Sequence, residues 1–149
     1  MTMAAPLLRQ NPLFAGLPAD ELEIVLATLP RRRLSRGEFL FHEGEYGDRC
    51  YIVLKGEVEI IQALGASEEQ VIALRGPGSL IGEMALLHPE GIRSASGRIR
   101  TPTEIVELTR ADFVALLQQV PALAFETILL LSRRLRESHD ITTRDLGHQ

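Results

Sequence analysis

The chain has 149 residues, about the length of one domain, and its 45% hydrophobic and 24% charged content is typical of a folded globular protein. The formal net charge of −4 argues against a general affinity for nucleic acid or an anionic membrane surface, because both depend on a basic protein surface. A single cysteine, Cys50, excludes an internal disulfide framework and a multi-cysteine metal site. We therefore expect one domain over residues 1–149.

The N-terminal part of the sequence predicts one helix and no targeting segment. We find no basic stretch followed by an apolar run, which is the pattern of a secretion signal. No apolar run approaches the roughly 18 residues that a membrane helix needs. Residues 11–29 are predicted to be helical, because Asp20, Glu21 and Glu23 carry negative charge of the kind found near a helix start, apolar residues then recur at helical spacing, and Pro30 ends the pattern. A soluble, cytoplasmic protein without a membrane segment is expected.

Short β-rich runs fill the middle of the chain. Ten of the twelve glycines lie between Gly37 and Gly97, where they separate these runs. Residues 51–54 are apolar at every position, which predicts a strand buried on both faces. The Lys-Gly-Glu sequence at residues 55–57 is predicted to form a tight hairpin turn. The predicted strands are residues 39–41, 50–54, 58–61, 71–74, 99 and 105–108.

Helical spacing returns at the C-terminal end. Thr109 is predicted to cap a helix that runs to Val120. Pro121 is predicted to begin a second helix, which runs to Leu146 and has Gly147 as its stop. The predicted fold class is α+β: an antiparallel, jelly-roll-like β-roll over residues of about 31–109, flanked by the N-terminal helix and by two C-terminal helices over residues of about 110–146.

The most informative segment is residues 78–87 together with residues 92–95. Gly82 permits a ligand to approach the backbone closely, and the residues after it are expected to form a short helical turn whose free N–H groups attract an anion. Arg93 adds a two-pronged, charge-assisted contact to a phosphate. Glu83 beside an anion is explained if its carboxylate accepts hydrogen bonds from hydroxyl groups, such as those of a ribose. A phosphate together with a ribose hydroxyl indicates a nucleotide.

These residues resemble the phosphate-binding cassette of the cyclic-nucleotide-binding domain family. The cassette in this sequence is Ile-Gly-Glu-Met-Ala-Leu at residues 81–86, followed by Arg-Ser-Ala at residues 93–95. The resemblance extends to residues 36–38, 43–48, 51–56 and 78. Within the family the sequence is most similar to the sensor domain of Crp/Fnr-type regulators, the bacterial catabolite activators.

The resemblance implies a role for each matching residue. Arg93 would pair with the exocyclic phosphate oxygens and Ser94 would hydrogen-bond to them, while Glu83 would accept a hydrogen bond from the ribose 2′-hydroxyl. Three apolar residues would line the wall beside the purine, and three residues of the last helix would reach its base. The full set of implied ligand-binding residues is Ile60, Ile72, Ala73, Gly82, Glu83, Met84, Ala85, Arg93, Ser94, Ala95, Arg134, Ser138 and His139.

The family resemblance implies a regulatory domain that binds cAMP, with cGMP left open, and signals through the last helix to an effector or a dimer partner. The alternative is a member that has lost nucleotide binding and serves as a dimerisation or docking module. Residues 128, 131 and 135 form an apolar seam on the last helix, which fits either packing on the domain's own core or pairing with a second copy.

Three absences are also expected. The residues show no catalytic constellation, so the chain is expected not to be an enzyme. The histidines lack the spacing of metal ligands, so neither a metal nor a cofactor is expected. No helix-turn-helix follows the last predicted helix, so we expect no direct binding of DNA by this chain.

Overall fold

The computed structural model describes residues 27–83, 85, 90–119 and 121–147, except for the side chains of residues 122, 123 and 137–147. The predicted N-terminal helix over residues 11–29 lies almost entirely outside the described residues, as do Met84 and Val120. The prediction that residues 1–149 form a single domain stays a prediction.

Among the residues that the structure describes, six strands form one antiparallel sheet that is followed by two helices. The central pair is β3 and β6: β6 also pairs with β1 and β2, and β3 also pairs with β4 and β5. This arrangement confirms the predicted α+β class with an antiparallel roll and two C-terminal helices. The strands are β1 (Arg31–Leu34), β2 (Phe39–Phe41), β3 (Arg49–Gln62), β4 (Gln70–Arg75), β5 (Leu80–Ile81) and β6 (Ser96–Thr109), and the helices are α1 (Arg110–Gln119) and α2 (Pro121–Gly147).

The predicted hairpin turn at residues 55–57 is wrong. β3 continues through these residues, and its pairing with β6 shifts register between Val53 and Val58. Gly56 has a φ of 91°, and a Cβ atom there would lie 2.4 Å from the carbonyl oxygen of Pro102. A glycine in this conformation lets the strand bulge and bend instead of reversing. The segments predicted at residues 99 and 105–108 are likewise parts of the one strand β6.

Residues 51–54 are buried on both faces of the sheet, which confirms their prediction. One face joins a cluster of seven buried side chains from four strands: Leu34, Tyr51, Val53, Val58, Ile81, Ile99 and Ile105. Phe113 and Leu116 of α1 are also buried, and α1 contacts β3 and β6. Alternation along β3 therefore places consecutive side chains in two different environments.

The two helices begin where the sequence predicts. The backbone N–H of Asp112 donates to Oγ1 of Thr109 at 3.2 Å, and the N–H of Thr109 donates to Oδ2 of Asp112 at 3.0 Å, which is a reciprocal cap. The helix α2 begins at Pro121. Its apolar seam is largely exposed, at 62% for Ile128 and 57% for Leu135. Packing of this seam on the domain's own core is therefore wrong for these two residues.

Candidate functional site

A cavity of about 160 Å³, partly open to solvent, lies between the β-roll and α2. Its lining combines an apolar wall from β3 and β4 with charged side chains from the turn after β5, from the segment before β6 and from α2. Ten of the thirteen residues that the sequence implies line it: Ile60, Ile72, Ala73, Gly82, Glu83, Ala85, Arg93, Ser94, Ala95 and Arg134.

The turn after β5 shapes the floor of the cavity. Gly82 has a φ of 83°, a conformation that L side chains rarely adopt, and a Cβ atom on it would lie 2.6 Å from Nη1 of Arg93. Glu83 and Ala85 follow in helical conformation, and both side chains are buried. Leu80 and Ile81 anchor the turn, because both are buried and pair with Ile52 and Tyr51 of β3.

The guanidinium of Arg93 is fixed from several sides. Its side chain is 4% exposed. Nη1 donates to the carbonyl oxygen of Gly82 at 3.0 Å, and Nη2 donates to the carbonyl oxygen of Arg49 at 2.7 Å. The guanidinium carbon lies 4.4 Å from the centre of the Phe41 ring, which is within the range of a cation–π contact. These contacts bury a full positive charge beside the cavity.

Glu83 is paired with Arg134 of α2. Oε1 of Glu83 accepts a hydrogen bond from Nη1 of Arg134, and Glu83 is 1% exposed. This ion pair links the turn after β5 directly to the last helix. Three polar atoms of the residues that line the cavity are buried and lack a hydrogen-bond partner among the described residues: Oε2 of Glu83, Nε of Arg93 and Nε of Arg134. One carboxylate oxygen and two guanidinium nitrogens are therefore left without a partner in this part of the structure.

Cys50 lies behind the cassette and is fully buried. Burial raises the pKa of its thiol well above the ordinary value of 9.0, and the neighbouring Glu83 carboxylate raises it further, while Arg93 opposes that rise. The thiol is therefore protonated at neutral pH and acts as a small apolar side chain. Within the described part of the chain, no group of three or more His, Cys, Asp or Glu side chains could hold a metal ion.

The sequence-family model of the cyclic nucleotide-binding domain matches residues 31–120 of this chain. This chain belongs to that family. The cyclic AMP receptor protein of Thermus thermophilus is 39% identical over 131 residues, which cover 88% of this chain and 60% of that protein. The chain therefore spans about 60% of the length of this curated relative.

Solved structures support the same cyclic nucleotide-binding fold. The crystal structure of the Thermus thermophilus catabolite activator protein is 39% identical with a TM-score of 0.79, and the match covers 92% of this chain and 63% of that one. The regulatory domain of Toxoplasma gondii PKA, crystallised with cAMP, is 31% identical with a TM-score of 0.64, and the match covers 76% of this chain and 42% of that one. The resemblance to Crp-type regulators is confirmed.

Three residues implied by the cyclic nucleotide-binding resemblance fall outside the described part of the site. Met84 lies outside the described residues, and Ser138 and His139 lie on α2 but their side chains are outside the description. Sequence reasoning missed five lining residues: Phe41, Gln62, Arg75, Ile81 and Leu135. The period-2 alternation of strands signals two of them, because Gln62 follows Ile60 by two positions and Arg75 follows Ala73 by two. The cation–π contact of Phe41 depends on tertiary folding and has no such signal.

No described helix is both long enough and apolar enough to cross a membrane.

Proposed function

We propose that this chain is the sensor domain of a regulator, that it binds cAMP in the cavity between the β-roll and α2, and that it acts by binding rather than by catalysis. The observation that carries the proposal is the convergence of Glu83, Arg93 and Arg134 on one cavity: Glu83 and Arg93 are buried, Arg134 is 14% exposed, and each has an unpartnered polar atom among the described residues. Leaving charged groups buried without full hydrogen bonding costs several kcal/mol, on the order of what a complementary ligand restores.

A cyclic nucleotide offers the complementary groups. Its phosphate is an anion that suits Arg93, a planar donor already fixed by two carbonyl oxygens. Its ribose hydroxyl is a donor that suits Oε2 of Glu83, the unpartnered acceptor. Its purine is a flat apolar ring that suits the wall formed by Ile60, Ile72 and Ala73. Sites of this kind combine an apolar lining with a few placed polar groups.

The ion pair between Glu83 and Arg134 supplies a route from ligand to output. Arg134 belongs to α2, whereas Glu83 belongs to the turn that would hold the ligand. A ligand that binds Glu83 changes the partners of that carboxylate, and with them the contacts that place α2. It favours one position of α2 by as much as its affinity differs between the two positions. We therefore take α2 as the output element.

The exposed seam of α2 supports a second copy of this chain as the dimer partner. Phe125, Ile128 and Leu135 are each more than half exposed and recur at helical spacing, as helix-pairing seams do. Ile128→Glu places a charge on this seam without touching the cavity, so the variant should be monomeric and folded. Sedimentation equilibrium of both proteins measures this. A wild-type protein that is already monomeric, or a variant that stays dimeric, contradicts pairing through the seam.

A side-by-side calorimetric titration with cAMP, cGMP, a cyclic dinucleotide and 5′-AMP tests the ligand. We expect saturable binding of cAMP at one site per chain, with weaker binding of the others, and recovery of unchanged cAMP after prolonged incubation. No binding of any cyclic nucleotide at millimolar concentration would overturn the proposal in favour of a docking module that has lost its ligand. Hydrolysis that Glu83→Gln abolishes would overturn the non-catalytic part.

A further inference from the structure

The loop that carries Gly47 packs against Arg93 along its length. The N–H of Gly44 donates to the carbonyl oxygen of Arg93 at 2.9 Å, and the N–H of Arg93 donates to the carbonyl oxygen of Glu45 at 2.8 Å. The N–H of Gly47 then donates to the carbonyl oxygen of Gly91 at 2.7 Å. These three bonds fix the backbone on which the Arg93 side chain stands.

Gly47 also contacts the functional end of that side chain. A Cβ atom on Gly47 would lie 2.2 Å from Nε and 2.3 Å from Cζ of Arg93, and real Cβ atoms essentially never show contacts under 3.0 Å. The φ of Gly47 is not positive, so alanine can adopt its backbone conformation. The reason for glycine at this position is therefore the space that the guanidinium occupies.

A guanidinium displaced from Gly47 must give up the contacts that orient it. Its two carbonyl acceptors, on Gly82 and Arg49, lie at 3.0 and 2.7 Å, within the range of about 2.7–3.2 Å that N–H···O hydrogen bonds have. The Phe41 ring lies against the same group. Because an arginine side chain is flexible, it can move without disturbing the sheet, but it then leaves its fixed orientation.

We infer that Gly47 is a positioning residue for the phosphate-binding arginine: its missing side chain admits the Arg93 guanidinium and so sets the affinity for the ligand's phosphate. This inference rests on the proposed function. It predicts that a single methyl group at residue 47, which is outside the cavity lining, lowers the affinity for the ligand without a matching loss of protein stability. The fold should survive, because the displaced atoms are the end of a flexible side chain, while ligand affinity should fall.

The test compares Gly47→Ala with Gly76→Ala. Gly76 also lacks a positive φ, and a Cβ atom there would meet nothing within 4 Å, so its alanine variant is a matched control. Calorimetric titration with cAMP should show at least about tenfold weaker binding for Gly47→Ala, the loss expected for one charge-assisted hydrogen bond. Gly76→Ala should bind as the wild type does. Equal affinity of the two variants would overturn the inference.

A measurement without ligand separates this inference from the proposed function. The Nε–H resonance of Arg93 in a ¹⁵N-correlated NMR spectrum should shift in Gly47→Ala and stay in place in Gly76→Ala, because its position beside the Phe41 ring changes only in the first. An unchanged resonance in Gly47→Ala overturns the inference whatever the ligand. If the resonance shifts but the wild type binds no cyclic nucleotide, the steric role stands and the proposed ligand fails.

If Gly47→Ala does not fold, the double variant Gly47→Ala/Arg93→Ala tests whether overlap with the Arg93 guanidinium is the cause. Removing the guanidinium removes the overlap, so the double variant should fold and have the thermal midpoint of Arg93→Ala alone. A double variant that is as disrupted as Gly47→Ala would show that residue 47 needs glycine for a reason unrelated to Arg93, and would overturn the inference.

Discussion

Two buried glutamates in the described part of the chain have arginine partners, and they differ in how many hydrogen bonds their carboxylates accept. Glu107 on β6 is 7% exposed, and both of its oxygens accept: Oε1 from Nη1 of Arg32 at 2.6 Å and Oε2 from Nη1 of Arg49 at 3.0 Å. Glu83 is 1% exposed, but Oε1 alone has a partner, Arg134, among the described residues.

The difference separates a structural ion cluster from a binding group. Glu107 joins three strands, β1, β3 and β6, and its bonding capacity is used within the sheet. Glu83 bridges a turn and a helix and keeps one oxygen for another donor. A fully bonded buried carboxylate contributes to the fold, whereas a partly bonded one is costly unless a ligand completes it.

The largest expected effect comes from replacing arginine by lysine on the binding side. Arg93→Lys should weaken cAMP binding by about 10- to 100-fold, because an ammonium replaces the planar fork that reaches both carbonyl oxygens and a phosphate. Calorimetric titration measures the change. Arg32→Lys is the control on the structural side: Arg32 is half exposed and bonded to Glu107, so its replacement should leave the affinity unchanged. Equal losses of cAMP affinity in the two variants would contradict the distinction between a binding arginine and a structural one.

The next effect comes from neutralising each glutamate in turn. Glu83→Gln should weaken cAMP binding about tenfold, because a charged acceptor for the ribose hydroxyl becomes neutral. Glu107→Gln should leave the affinity unchanged and lower the free energy of unfolding by about 1–2 kcal/mol, a modest loss because both arginine partners are well exposed to solvent. For each variant, urea unfolding measures the free energy of unfolding and calorimetric titration measures the affinity for cAMP. A Glu107→Gln variant that loses affinity would contradict the comparison.

The smallest effect is a pH dependence of the free energy of unfolding, which we expect from Cys50, the buried thiol near Glu83. The folded protein holds the Cys50 proton because burial raises the pKa of that thiol, whereas the unfolded chain releases it above its ordinary value of 9.0. The free energy of unfolding should therefore fall as pH rises above about 9, by at most about 1.4 kcal/mol per pH unit.

Urea unfolding at about pH 8, 9, 10 and 11 under reducing conditions checks this dependence. Burial also raises the pKa of Tyr51 above 10.0, so a second loss of stability begins beyond pH 10. Cys50→Ala should flatten the first fall between pH 9 and 10 and leave the second. Identical slopes for Cys50→Ala and the wild type in that interval would show that the thiol does not control the first fall.

Much of the fold is local enough to be predicted from the sequence. The cap at Thr109, the start of α2 at Pro121 and the buried run at residues 51–54 each depend on neighbouring residues, and all three are confirmed. The turn at residues 55–57 is not of this kind. Lys-Gly-Glu has the local chemistry of a hairpin, but a left-handed glycine also makes a bulge, and pairing with the distant β6 decides between them.

The site likewise contains residues that the local sequence predicts and contacts that only the tertiary fold determines. Glu83 and Arg93 are predictable because the cassette keeps its residues in fixed local order, and the cavity contains both. The packing of Gly47 on the guanidinium and of Phe41 on its face joins residues roughly 50 positions apart in the chain. A sequence pattern contains the residue types for such contacts, but three-dimensional packing determines which atoms meet.

The ladder between β3 and β6 has a consequence for how the chain reaches this structure. It pairs Arg49 with Thr109 and Ile61 with Ser96. The two central strands are therefore far apart in sequence, and the chain between them must be closed into a long loop for their contacts to form. Such closure costs chain entropy early and slows folding relative to helical proteins of similar size. We expect backbone amides in β3 and β6 to gain protection from hydrogen exchange in one kinetic phase.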